Sequence, residues 1–91
     1  MTTLHMSDQQ ITELDSDIDD LQSRVFNGDT TGSQGFVRRM TIIAEEHNIT
    51  FSELRIRFAL RLKLRHQEGW INDEQLAGVP DGLRTYFQPA S

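Results

Sequence analysis

Apolar residues recur at three- and four-residue intervals along three stretches of this chain, and no stretch shows the strict alternation of a half-buried strand. The first run, Ile11, Leu14, Ile18, Leu21 and Val25, predicts an amphipathic helix from Asp8 to Phe26. Ser7 and Gln10 make a capping box at its start, and Asn27 and Gly28 end it. The second run, Phe36, Val37, Met40, Ile43 and Ala44, predicts a helix that begins at Ser33 or Gly35 and continues through His47. Asn48 is suited to a left-handed stop after it.

The third stretch, about residues 51–68, is the one around which the rest is expected to pack. Thr50 and Glu53 form its capping box, Ile49 and Leu54 its hydrophobic staple, and Gly69 stands where a left-handed cap belongs. Its wheel carries two apolar stripes. Phe51, Leu54, Phe58 and Leu62 form one, and Ile56, Leu60 and Leu64 form the other, on the opposite side. A helix on the surface of a small domain needs one such stripe. This helix is therefore either the core on both sides, or half core and half binding surface.

Beyond it, Trp70 and Ile71 read as an apolar hinge, and Asn72 with Gln75 starts a short helix that Gly78 stops. Val79-Pro80-Asp81-Gly82 reads as a turn, and residues 83–87 as a last helical turn laying Leu83, Tyr86 and Phe87 on the core. The expected fold is one all-α domain over residues 1–91, a bundle of four to five helices around the central one. Residues 1–6 are expected as a frayed start with Leu4 and Met6 free to dock, 28–35 as a flexible loop, and 88–91 as a tail.

Charge adds a second pattern. The net charge is −5. The first helix holds Asp8, Glu13, Asp15, Asp17, Asp19 and Asp20 against Arg24, while Arg57, Arg61 and Arg65 line one seam of the third and Arg55 and Lys63 the other. Two uses fit the acidic face: a solvated surface, or docking on something basic. The basic surface is either the arginine seam of the same chain or the nucleic-acid site of a partner. For the arginines, the long side chains either snorkel past apolar surface or form a ridge for an acidic partner.

Chemistry is sparsely represented. The chain has no cysteine, which excludes disulfides and thiolate metal sites. The glycines after Asn27 lack the lysine and hydroxyl of a phosphate loop. His5, His47 and His66 share no metal-ligand spacing, and the carboxylates lie on an exposed helix with no apolar wall to raise a pKa. No enzyme, cofactor or metal is expected. No run approaches the ~20 apolar residues of a membrane span, and the first residues do not read as a signal peptide, so a cytoplasmic protein is expected.

Ala44, Asn48, Ile49 and Leu54 fall near the small, turn and core positions of a helix-turn-helix, which would give Arg55 and Arg57 to DNA. The acidic total argues against that use. Met40…Ile43-Ala44-Glu45 followed by Leu54-Arg55, Phe58 and Arg61-Leu62 is similar to a stretch of the theta subunit of bacterial DNA polymerase III. That resemblance covers about a quarter of the chain and implies a helical accessory protein that binds the proofreading exonuclease subunit. The acidic first helix and the glycine loop do not match it, and the gap between its two halves differs by one residue.

The reading that follows is a small acidic protein that binds without catalysis and regulates or inhibits a larger protein complex, such as one that handles nucleic acid. Asp15, Asp17, Asp19 and Asp20 are the expected electrostatic anchors, and Ile56, Leu60, Leu64 and Trp70 the apolar ones. A homodimer sharing the second stripe fits the sequence as well as a monomer does. The alternative is a dimeric helix-turn-helix regulator that binds DNA directly.

Overall fold

A computed structural model describes residues 7–29 and 32–87. The expectations for the frayed start, the docking of Leu4 and Met6, and the tail fall outside these residues. Three long helices, α1 (Asp8–Phe26), α2 (Ser33–Glu46) and α3 (Phe51–Gln67), are followed by a short α4 (Asp73–Ala77) and a 3₁₀ turn at Asp81–Leu83. The architecture is all-α, as the spacing predicts, and the described residues contain no strand.

The helix boundaries follow local chemistry. Reciprocal capping boxes close the starts of α1 (Ser7, Gln10), α3 (Thr50, Glu53) and α4 (Asn72, Gln75). The three long helices share one stop. A residue at positive φ follows each: Gly28 at 77°, Asn48 at 56° and Gly69 at 84°. The next amide then reaches back over the last turn: Asp29 to the Arg24 carbonyl, Ile49 to Ala44 and Trp70 to Arg65. This back-bonding satisfies carbonyls that would otherwise end in solvent.

Helix directions can be read from side-chain partners. Asp17 meets His47 and Leu21 lies near Ile43, with Arg24 beside Arg39, so α1 and α2 run antiparallel. Asp15 meets Arg57 and Asp19 meets Arg61, so α1 and α3 run parallel. The bundle is up, down, up. Its core is Leu14, Ile18, Leu21 and Val25 from α1, Phe36, Met40, Ile43 and Ala44 from α2, and Leu54, Phe58 and Leu62 from α3. The C-terminal strap adds Ile71, Val79, Leu83 and Phe87. Phe87 stands edge-on to Phe58 with ring centres 5.2 Å apart, and Phe36 also meets Phe58 edge-on, at 5.6 Å. Edge-to-face packing of this kind is favoured by the ring quadrupoles.

Three expectations change in detail. The last helical turn begins earlier than expected, as a 3₁₀ turn at Asp81–Leu83 after Pro80, and continues through the expected 83–87, where Tyr86 N donates to the Leu83 carbonyl and Phe87 N to the Arg84 carbonyl. The loop expected over 28–35 ends at Gly32, because Ser33 already begins α2. The hinge at Trp70 and Ile71 splits: the chain bends there, with Ile71 buried and Trp70 exposed.

Candidate apolar ridge and the α1–α3 ladder

The central helix is one-sided. Leu54, Phe58 and Leu62 are wholly buried, whereas Ile56, Leu60 and Leu64 retain 63%, 54% and 43% of their accessible surface. Trp70, just past the end of the helix, retains 71%. α1 and α2 both pack against the first stripe, and the described residues contain no fourth long helix to cover the second. The helix is therefore core on one side and exposed on the other, and not core on both. Among the described residues, four of the five large exposed apolar side chains lie on this ridge and its extension; the fifth, Ile42, sits on α2 in the groove facing α1.

The electrostatic anchors are arranged differently from expectation. Asp15 and Asp19, assigned to a partner from sequence, are held within the chain. Arg57 donates through Nε and Nη2 to the two carboxylate oxygens of Asp15, at 2.8 and 2.7 Å. Arg61 repeats the fork on Asp19 at 3.0 and 2.6 Å. The cause is geometric. Acids four apart on α1 and arginines four apart on α3 coincide once the helices lie parallel in register, and guanidinium and carboxylate then match two bonds to two. The hydrogen bond to Asp15 holds the Arg57 guanidinium above its ordinary pKa, and that to Asp19 does the same for Arg61; partial burial opposes both. Asp17 and Asp20 remain on the surface. Asp17 Oδ2 accepts from His47 Nε2 at 2.7 Å, and Asp20 pairs with Arg24 one turn on.

The third arginine finds no carboxylate in the same register. Arg65 Nη1 donates instead to the Gln22 side-chain oxygen at 2.7 Å, with Asp19 3.8 Å away. Gln22 is fully buried, and its amide nitrogen donates to the Phe58 carbonyl at 3.2 Å. Both ends of this amide are therefore used, so a buried polar group avoids the cost of being left unpaired. Sequence reasoning missed Gln22. The available signal is its place four residues after Ile18 and three before Val25, on the inward face of α1.

The arginines proposed as DNA readers also have partners. Arg57 is committed to Asp15, and the Arg55 guanidinium lies over the Tyr86 ring at 4.8 Å. No group of three or more metal-binding side chains occurs among the described residues, and no helix there is long and apolar enough to cross a membrane. The cleft beside Trp70 is bounded by Asp19, Arg61, Arg65 and Glu68, joining the ladder to the bare ridge.

Comparison of the chain with known protein families, curated proteins and solved structures finds no match. The residues that carry the likeness to the theta subunit have a structural explanation of their own. Met40, Ile43, Ala44, Leu54, Phe58 and Leu62 are all buried, and Arg61 is held by Asp19. Any pair of amphipathic helices that shares this packing will share such a pattern.

Proposed function

We propose that this protein acts by binding, without catalysis, and that the outer ridge of α3 seats in an apolar groove of a larger protein complex, which it regulates or inhibits. The observation that carries this reading is the exposure of Ile56, Leu60 and Leu64 on one face of a well-capped helix, with Trp70 beyond them. Anchors repeating every four residues are what a helix-binding groove reads. Tryptophan and the aliphatic anchors around it are the side chains from which binding hot spots are built when water is excluded. The carboxylates of Asp17 and Asp20 remain at the surface beside the groove of α1 and α2, where they would speed encounter with a basic partner such as a nucleic-acid-handling complex.

A photo-crosslinking residue placed at Leu60, followed by mass spectrometry of the adducts, tests the proposal. The same partner should be captured from Ile56 and lost from a probe at Arg38 on α2. Charge reversal at Asp17 and Asp20 should slow association and leave dissociation little changed. Equal labelling from Leu60 and Arg38 would remove the ridge as the docking surface.

A further inference from the structure

We infer that Asn27-Gly28, at the stop of α1, is a modification site where the chain reacts slowly with water and exchanges a neutral amide for a carboxylate. The attack is internal to the chain and does not involve the α3 ridge. The Gly28 backbone nitrogen gives its proton to hydroxide and adds to Asn27 Cγ. The new N–Cγ bond closes a five-membered imide, the Cγ–Nδ2 bond breaks, and ammonia leaves with a proton returned from water. Water then opens the imide on either side. Cleavage of the N–Cγ bond leaves aspartate at 27. Cleavage between the nitrogen and the main-chain carbonyl carbon of residue 27 leaves isoaspartate, in which the backbone runs through Cγ. Either route consumes one water, releases one ammonia and adds one negative charge.

The chain has three asparagines, and the structure separates them. Asn27 is exposed, and its side-chain amide has no hydrogen-bond partner among the described residues. The attacking nitrogen belongs to a glycine, where a Cβ would meet nothing within 4 Å, so no side chain crowds the closing ring. Asn72 is engaged as the cap of α4, its Oδ1 accepting from the Gln75 amide at 2.8 Å. Asn48 is followed by Ile49, whose branched, half-buried side chain hinders the nitrogen. Asp81-Gly82 offers a glycine nitrogen as well. There the carboxylate is anionic and paired with Arg84 at 3.0 Å, and an anion resists attack by an anion.

The fold sets the pace and the consequence. Gly28 N–H donates to the Val25 carbonyl at 3.1 Å, and that bond has to open before the nitrogen can turn on Asn27 Cγ. Helix ends open more readily than helix centres, so the folded chain reacts, but more slowly than the unfolded one. The product does not suit the stop. A carboxylate at 27 stands at the negative end of the α1 dipole, close in sequence to Asp29, which already shares Arg24 with Asp20. Isoaspartate also inserts a backbone carbon, which breaks the spacing by which Gly28 N reaches Val25 and Asp29 N reaches Arg24. Phe26, one residue before, packs edge-on to Phe87 with ring centres 5.6 Å apart, so the loosening reaches the aromatic cluster. The ladder at Asp15 and Asp19 lies well inside α1 and stays closed.

The test is to incubate the purified chain at neutral and mildly alkaline pH, folded and in urea. Tandem mass spectrometry of protease digests follows the mass gain of a carboxyl over an amide, and an isoaspartyl methyltransferase counts isoaspartate. In the folded chain, conversion at Asn27 should run at least an order of magnitude faster than at Asn48 or Asn72. The rate should rise with pH and rise again in urea, and Asn27→Gln should remove the isoaspartate signal. The converted chain, separated by ion exchange, should melt at a lower temperature than Asn27→Asp, which carries the added charge without the added backbone carbon. Equal conversion at the three asparagines overturns the site. So does a folded chain that stays intact at Asn27 while the urea-unfolded chain converts fully, or an isoaspartate signal that survives in Asn27→Gln. A converted chain that melts with Asn27→Asp overturns the broken stop.

Discussion

Replacing Gln22 by leucine tests whether the buried amide between α1 and α3 holds the bundle in register. The side chain is wholly enclosed, so the substitution keeps its approximate volume and removes only two hydrogen bonds. The bond from Arg65 involves a charged donor, and its loss costs about 1.5–3 kcal/mol. The bond to the Phe58 carbonyl is worth about 0.5–1 kcal/mol, since that oxygen keeps its place in the helical ladder of α3. Burying leucine in place of an amide returns about 1 kcal/mol. The balance is a destabilisation of about 2 kcal/mol, which in a domain of this size lowers Tm by about 8–16 °C. Thermal and urea unfolding followed by circular dichroism measures it. The double variant Gln22→Leu with Arg65→Met should recover to within about 1 kcal/mol of the original, because a donor and acceptor removed together leave no orphan. A Gln22→Leu protein as stable as the parent, or a double variant whose loss equals the two single losses added, would refute the reasoning.

Two further perturbations probe other contacts. In a double-mutant cycle on Asp19 and Arg61, the single alanine variants should each cost more than half of the double, with a coupling of about 1–2 kcal/mol that shrinks in high salt. Urea midpoints at two ionic strengths report it. The stop of α2 should accept Asn48→Gly with little change and lose about 1 kcal/mol in Asn48→Ala, because the backbone there sits at positive φ; thermal unfolding separates the two.

The arginine pairs also bear on pH. Arg57 and Arg61 have folded pKa values raised above the unfolded value, so their contribution is fully present below the unfolded pKa and is lost only as pH rises through the folded one. That window is strongly alkaline. Stability measured from neutral to moderately basic pH should therefore show no step from the arginine side of the ladder.

Much of the fold was legible because local signals agreed with one another. The boxes at Ser7, Thr50 and Asn72, and the stops at Gly28, Asn48 and Gly69, are short-range chemistry that survives without tertiary context. Leu54 and Ile56 show where this ends. Both sit on apolar stripes of the same helix, and only the number of neighbouring helices decides which stripe is covered. Asp15 and Asp19 show the same limit for charge. Their spacing matches that of Arg57 and Arg61, but a pairing needs the parallel direction of α1 and α3, which a helical wheel does not contain. Gln22 was hardest to see, since burial of an amide depends on two partners far along the chain, Phe58 and Arg65.

The ladder has a bearing on how the chain comes together in time. Residues 1–50 hold nine acids and three bases, and residues 51–91 hold five acids and six bases, so the sequence is divided into a strongly anionic leading part and a faintly cationic trailing part. As the polypeptide is made from its amino end, Asp15 and Asp19 each precede the arginine that receives them by 42 residues. The third helix therefore brings the partners of these two carboxylates, and the α1–α3 seam closes only when it is in place.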